Sequence, residues 1–317
     1  MSSPAYRPRR SVLYMPSSNE RALAKAKTLP VDALILDLED AVGPDHKEVA
    51  RENACAAAKS GDYGGREITI RVNGIGTAWH EADLKAACHA GPDAIVVPKV
   101  NTAKEVASLV TAMKHFRAPK RTKLWAMIET PEAIVNVRKI ARASDRLTCF
   151  VMGTNDLVKE LQAQIVPGRA PLLMSLSMAL LSARRAGIAC LDGVFNDVGD
   201  AEGFAAECLQ GRHMGFDGKT LIHPGQVEVC NATFAPSAAE VADAQGIIEA
   251  WTAGAGTGVV TYHGKMIENL HVDIARRVLA THEAITPVPG SSAHGAAAPA
   301  AAPRGTASPG PRSTCST

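Results

Sequence analysis

Charged residues recur directly after short apolar runs in this sequence, a spacing that would gather them at one end of a set of strands. Asp37, Glu39 and Asp40 end one run, Arg71 and Asn73 the next, and Lys99, Glu129, Asp156, Asp192 and His223 follow later ones. Glu129 and Asp156 end consecutive runs, and two carboxylates brought close together repel until one takes up a proton or a cation is shared between them. Mg²⁺ suits such a pair, because it takes one or two protein carboxylates and fills its octahedron with water and substrate oxygens. Mn²⁺ accepts the same hard oxygen donors. The alternative is a pair of solvated loop carboxylates or helix caps. Arg71 stands where a strand would otherwise carry a hydrophobe, and its planar fork matches a carboxylate or an enolate oxygen. A structural salt bridge to Glu39 or Asp40 is the competing role, and it is compatible with the first. Lys99 could form a Schiff base or bind an anion; the carboxylate pair favours the metal route. GIGT at Gly74–Thr77 is only a loop, His80-Glu81 lacks the second histidine of a zincin motif, and His223 reads as a hydrogen-bonded barrel residue.

The runs themselves are Ser11–Met15, Ala33–Leu38, Ile68–Val72, Ala94–Val97, Leu124–Ile128, Leu147–Met152, Ile188–Leu191 and Lys219–Ile222. Several are almost continuously apolar, as strands buried on both faces of a parallel sheet must be. Alanine-rich stretches with helical spacing separate them. Ser17 with Glu20 reads as a capping box, Thr130 with Pro131 as an N-cap and first-turn pair, and Gly91, Gly187 and Gly215 as left-handed helix ends. Eight β–α units predict a closed (β/α)₈ TIM barrel, whose βα loops converge at the C-terminal ends of the strands and put those charged residues around one mouth. A doubly wound sheet is the alternative, but PSSNER after the first strand is no nucleotide-binding turn. Ser237 and Glu240 open another helix, expected to reach Thr252; a loop, short strand and turn then lead to a helix over Leu270–Ala284. The expected organisation is a flexible N-terminus (1–10), the barrel (11–235), a C-terminal helical extension (236–286) and a disordered tail (287–317), whose Ala, Pro, Gly and Ser cannot bury enough surface to offset ordering entropy.

The 34 basic and 32 acidic residues are interspersed and leave a net charge of +2, so nucleic acid is not an expected partner. No apolar run approaches the roughly 18 residues of a membrane span, and no apolar stretch of signal-peptide type follows Arg7, Arg9 and Arg10. Seven scattered cysteines without paired spacing read as reduced core thiols of a cytoplasmic protein.

The segments LILDLEDAV, IRVNG, VVPKV, MIETPEAI, MGTNDL, LDGVFNDVGDAEGF and GFDGKTLIHPGQV, in this order, resemble the citrate lyase beta-subunit and malyl-CoA lyase superfamily from Ser11 to about Ile285. The resemblance implies a (β/α)₈ barrel in homotrimers or homohexamers, with Mg²⁺ on Glu129 and Asp156. It makes Arg71 a substrate-binding and catalytic residue, with Asp37, Glu39 and Asp40 as acids beside it, Asp40 counted in the catalytic set. It implies coenzyme A as part of the substrate, its arm lying over the mouth near Ser17, Asn19 and Lys99. Many members carry a GxMID aspartate that enters a neighbouring subunit's site; here Gly264-Lys265-Met266-Ile267 is followed by Glu268, one methylene longer, which is assigned to proton transfer. The implied activity is Mg²⁺-dependent cleavage of a β-hydroxyacyl-CoA of malyl, β-methylmalyl or citramalyl type into an acyl-CoA and a 2-oxoacid such as glyoxylate. A thioesterase or synthase on the same scaffold, a pyruvate-type aldolase acting on free hydroxy acids, and a non-catalytic subunit of a citrate lyase complex are the alternatives.

Overall fold

The structure, a computed structural model, describes residues 7–254 and 258–286; the tail expected at 287–317 lies outside the described residues. Eight parallel strands close into a barrel: β1 (Ser11–Pro16), β2 (Ala33–Asp37), β3 (Glu67–Arg71), β4 (Ala94–Val97), β5 (Lys123–Ile128), β6 (Leu147–Met152), β7 (Ala189–Asp192) and β8 (Gly218–Leu221). Each end falls within one residue of the apolar run that predicted it. Closure comes from β8 pairing with β1, Val12 opposite Thr220. Alternate residues serve two cores. Val12, Ile35, Val96, Trp125, Met127, Cys149, Val151 and Leu191 fill the barrel, whereas Leu13, Leu34, Ile70, Ile95, Leu124 and Phe150 face the helices. Burial on both faces is why the runs read as continuous rather than alternating apolar sequence.

Around the strands lie α1 (Glu20–Ala26), α2 (Lys47–Ser60), α3 (His80–Ala90), α4 (Ala103–His115), α5 (Pro131–Ile140), α6 (Thr154–Glu160), α7 (Leu173–Ala186), α8 (Ala201–Met214) and α9 (Val227–Phe234). Thr130 caps α5 by accepting from the Ala133 amide, and Gly91, Gly187 and Gly215 end their helices with positive φ. The first cap is corrected. Asn19, not Ser17, accepts from the Ala22 amide, and Ser17 is fully buried one step past β1. The extension is α10 (Ala238–Ala253), capped by the expected Ser237–Glu240 box, a hairpin of β9 (Val260–Tyr262) and β10 (Lys265–Ile267), and α11 (Asn269–Ile285). Arg212 with Glu240 (2.7 Å) and Arg277 with Asp217 (3.0 Å) tie it to the barrel. No helix among the described residues is long and apolar enough to cross a membrane. Six cysteines are free thiols, five of them buried, and Cys315 lies outside the described residues.

The N-terminal arginines are tied down: Arg9 holds Glu67 at 2.6 Å and Arg10 holds Asp32 at 2.7 Å. Gly218, which opens β8, lies against this segment, and a Cβ there would sit 1.8 Å from the Arg9 carbonyl oxygen. Only displacement of the backbone could relieve that overlap. Gly218→Ala is expected to destabilise the fold by about 3 kcal/mol or more. Urea unfolding checks this; a wild-type midpoint would mean that the Arg9 segment gives way at no cost.

Candidate active site

The site is organised by two neighbouring strand ends. In the β2–β3 register Asp37 stands beside Arg71, and the guanidinium meets that carboxylate as a two-pronged fork, Nε to Oδ1 and Nη2 to Oδ2, both at 2.6 Å. Asp37 is wholly buried and also accepts from the Glu39 and Ala41 amides. Arg71's third nitrogen, Nη1, points to Glu39 at 2.9 Å and to the exposed Asp40 at 3.4 Å. The Tyr14 ring lies beneath the guanidinium, 4.8 Å away. Burial by itself would lower the Arg71 pKa, but the Asp37 and Glu39 carboxylates outweigh it and keep the side chain charged. Lys47 reaches under the loop and donates to the carbonyls of Leu38 and Glu39, both at 2.7 Å, which holds the acidic segment over the barrel.

Across the mouth, Glu129 follows β5 and is 1% exposed. Its Oε1 accepts from the Lys99 amide at 2.7 Å, a bond available because Lys99 adopts a left-handed φ of 51°. Gly153 leaves room for the carboxylate, since a Cβ there would lie 2.1 Å from Oε2. Asp156 sits in the first turn of α6, a little beyond the strand end where the sequence places it. The Lys99 ammonium bridges the rim, 3.6 Å from Asp156 and 3.7 Å from Glu39. Burial, reinforced by the Glu39 and Asp156 charges, pushes the Glu129 carboxyl up to about 8. Burial also raises Glu39 to about 7, although Arg71 pulls in the other direction.

This donor set fits a hard divalent cation. No group of three or more His, Cys, Asp or Glu is arranged to hold a metal among the described residues. Two oxygen donors leaving positions for water and substrate is the usual arrangement at Mg²⁺. A cation there would also relieve the repulsion that raises Glu129. Beside α6 a cavity of about 430 Å³ opens, lined by Thr154, Asn155, Val166, Phe195 and Arg169 among others.

The fold thus brings together Arg71, Asp40, Lys99, Glu129 and Asp156. Ser17 lies alongside, its amide donating to the Asp37 carbonyl at 3.1 Å and its buried hydroxyl without a partner among the described residues. Asn19 spends its side-chain oxygen on capping α1. Glu268 stands apart in the turn between β10 and α11; its amide donates to the His271 ring at 3.1 Å, and its carboxylate pairs with none of the mouth residues. His223 caps a short turn after β8, its ring accepting from the Gly225 amide.

Sequence reasoning missed a second buried network, where the end of β7 pairs with the start of β8. Asp192 holds Arg169 at 2.6 Å and Lys219 at 3.2 Å, and Lys219 also holds Glu207 at 2.6 Å. Lys219 and Asp192 are wholly buried. The sequence signals were Asp192 directly after the seventh run and a lysine opening the eighth; nothing marked Arg169 and Glu207 as their partners. Tyr14, under Arg71, was hidden among the apolar residues of the first run.

The sequence profile of the HpcH/HpaI aldolase/citrate lyase family matches residues 10–224. A (3S)-malyl-CoA thioesterase of Cereibacter sphaeroides is 48% identical over 280 residues, spanning 88% of this chain and 96% of that protein. The citrate lyase subunit beta of Escherichia coli is 36% identical over 284 residues, spanning 87% and 94%. Among solved structures, protein CitE of Mycobacterium tuberculosis, in complex with magnesium, acetoacetate and coenzyme A, aligns with a TM-score of 0.72 at 27% identity over 88% of this chain and 99% of that one. The barrel, its residue order and these relatives agree, and this chain belongs to the HpcH/HpaI aldolase/citrate lyase family.

Proposed function

We propose that the chain is a Mg²⁺-dependent carbon–carbon lyase that splits a malyl-type β-hydroxyacyl-CoA into an acyl-CoA and a 2-oxoacid such as glyoxylate. The observation that carries this reading is the buried Glu129 carboxyl, facing Asp156 and Lys99 within the same mouth as the forked Arg71. Glu129 and Asp156 would hold the cation, which supplies polarisation of the substrate's hydroxyl and carboxylate oxygens. The bond between the hydroxyl-bearing carbon and the carbon next to the thioester breaks. Its electrons pass into the thioester as an enolate, the hydroxyl loses its proton, and the enolate carbon takes one up. Arg71 is the cation for the enolate oxygen. Asp37 fixes its plane, and the long contact to exposed Asp40 is the one a substrate oxygen can replace. Glu39, held near neutrality, is placed to accept the hydroxyl proton, and Glu268 from a second copy in a homotrimer or homohexamer to return one to carbon. Lys99 and Ser17 border the mouth where the coenzyme A arm would lie.

Thioester hydrolysis is the second reading, favoured by the 48% identity to a (3S)-malyl-CoA thioesterase. Incubation with malyl-CoA and Mg²⁺ separates the two. Glyoxylate and acetyl-CoA in equal amounts without free thiol mean lyase; malate and free thiol without glyoxylate mean thioesterase.

Metal binding should depend on pH. An unfolded Glu129 ionises near the ordinary glutamate value of 4.5 and the folded one near 8, so the metal-free fold binds the extra proton between these values. Metal-free stability therefore falls as pH rises through that window, and a cation that takes the proton's place offsets the loss. The Mg²⁺-induced rise in Tm is expected to be larger at the alkaline end of this window than at the acidic end. Equal rises, or turnover that survives exhaustive EDTA treatment, would dispose of the assignment.

Arg71→Lys keeps the charge and loses the fork, so kcat should drop by about a hundredfold. An unchanged kcat with a raised KM would make Arg71 a ground-state binder instead. Glu268→Ala should assemble and bind Mg²⁺ normally yet lose most turnover. Refolded together, inactive Glu268→Ala and inactive Glu129→Ala chains should regain part of it, because one copy then lends Glu268 to another's intact Glu129. Mixed oligomers that stay inactive would show that the site is not shared.

A further inference from the structure

Charge also gathers at the end of the barrel opposite the mouth. Arg9 precedes β1, Ile188 and Ala189 lead into β7, Asp217 precedes β8, and Arg184 and Gly187 close α7, so all meet at the N-terminal ends of the strands. With Arg7, and with Arg277 from α11, they line a cavity of about 480 Å³. Its wall holds four guanidinium groups and a single carboxylate, Asp217. Behind the wall, Glu67 accepts from Arg9 at 2.6 and 2.9 Å, and Asp93 pairs with Arg7 at 3.2 Å. Even with those two acids counted, the cluster keeps one positive charge in excess.

Three of these arginines are already oriented. Arg9, its side chain 18% exposed, lies over the Trp125 ring at 5.2 Å with its Glu67 fork behind it. Arg184 is fixed by Asp217 at 2.7 Å and by the Gly215 carbonyl. Arg277 meets the other Asp217 oxygen at 3.0 Å through Nη2 alone, and its Nε and Nη1 have no hydrogen-bond partner among the described residues. Each guanidinium keeps N–H groups beyond those its carboxylate uses, while Arg184 also donates to the Gly215 and Ile188 carbonyls. A planar carboxylate offers two oxygens in one plane, whereas phosphate groups direct oxygens outward on several sides, as donors converging from different walls require. We propose that this cavity binds a multivalent phosphate anion, held by Arg7, Arg9, Arg184 and Arg277, at a site separate from the mouth. Because Arg277 belongs to α11, which begins directly after Glu268, the bound anion also clamps the extension to the barrel floor.

The test is isothermal titration of the full chain with sodium triphosphate in Mg²⁺-free buffer of low ionic strength. Saturable binding at one site is expected, weakened by added salt. Arg7→Gln and Arg277→Gln should each raise Kd roughly tenfold, the loss of one charged hydrogen-bonding partner. Both side chains are largely outside the core, and an unchanged anion-free Tm would confirm that the variants fold. Lys99→Gln, at the mouth, should leave Kd as it is. ATP titrated in the same way identifies the source: equal affinity means the polyphosphate of a nucleotide, and exclusion of ATP means an inorganic anion. No saturable binding by the wild type overturns the proposal. So does binding that survives the double Arg7→Gln, Arg277→Gln variant and is lost in Lys99→Gln, which would place the anion at the mouth.

Discussion

The rest of the mouth depends on the buried fork between Asp37 and Arg71. Taking two charges out of water is costly, and the cost is recovered only with good geometry and further hydrogen bonds. Both conditions are met by register: the two residues face each other at the ends of adjacent parallel strands, and the loop amides of Glu39 and Ala41 occupy the remaining lone pairs of the carboxylate. The fork therefore fixes a cation and a loop together. Glu39 and Asp40 follow from it, since the turn that carries them is folded around Asp37, and Lys47 closes that turn from below.

Opposite the fork stands a carboxyl that is costly to leave alone. Glu129 is confined by Gly153 on one side and by the left-handed Lys99 backbone on the other, so it cannot move away from Asp156 to lower the repulsion. A site in which one wall is a preset cation and the other a preset pair of acids is suited to a substrate that becomes more anionic as it reacts. In a water-excluded setting such fixed charges count for more than they would at the surface.

Much of this was legible in the sequence because barrel strands and their ends obey simple rules. An apolar run followed by a charged residue marks a strand and its mouth, which is why Arg71, Glu129 and Asp156 stand out unaided. Local chemistry was less decisive. Ser17 and Asn19 are both good caps, and only the exit angle of β1 decides that Ser17 is buried and Asn19 closes the helix. The Arg169–Asp192–Lys219–Glu207 network was illegible for a different reason. Its members are spread from residue 169 to residue 219, and their pairing shows only when four segments of the chain converge. Glu268 came from the family resemblance alone, and among the described residues it has no partner in the mouth.

Trp125 gives the molecule an optical property as well as a barrel floor. Of three tryptophans it alone is wholly buried, and its indole nitrogen has no hydrogen-bond partner among the described residues. An indole in such surroundings emits at short wavelength, distinct from the partly exposed Trp79 and Trp251. With the Arg9 guanidinium over its face, that emission is an intrinsic reporter of how tightly the segment before β1 seals the barrel, readable without any label.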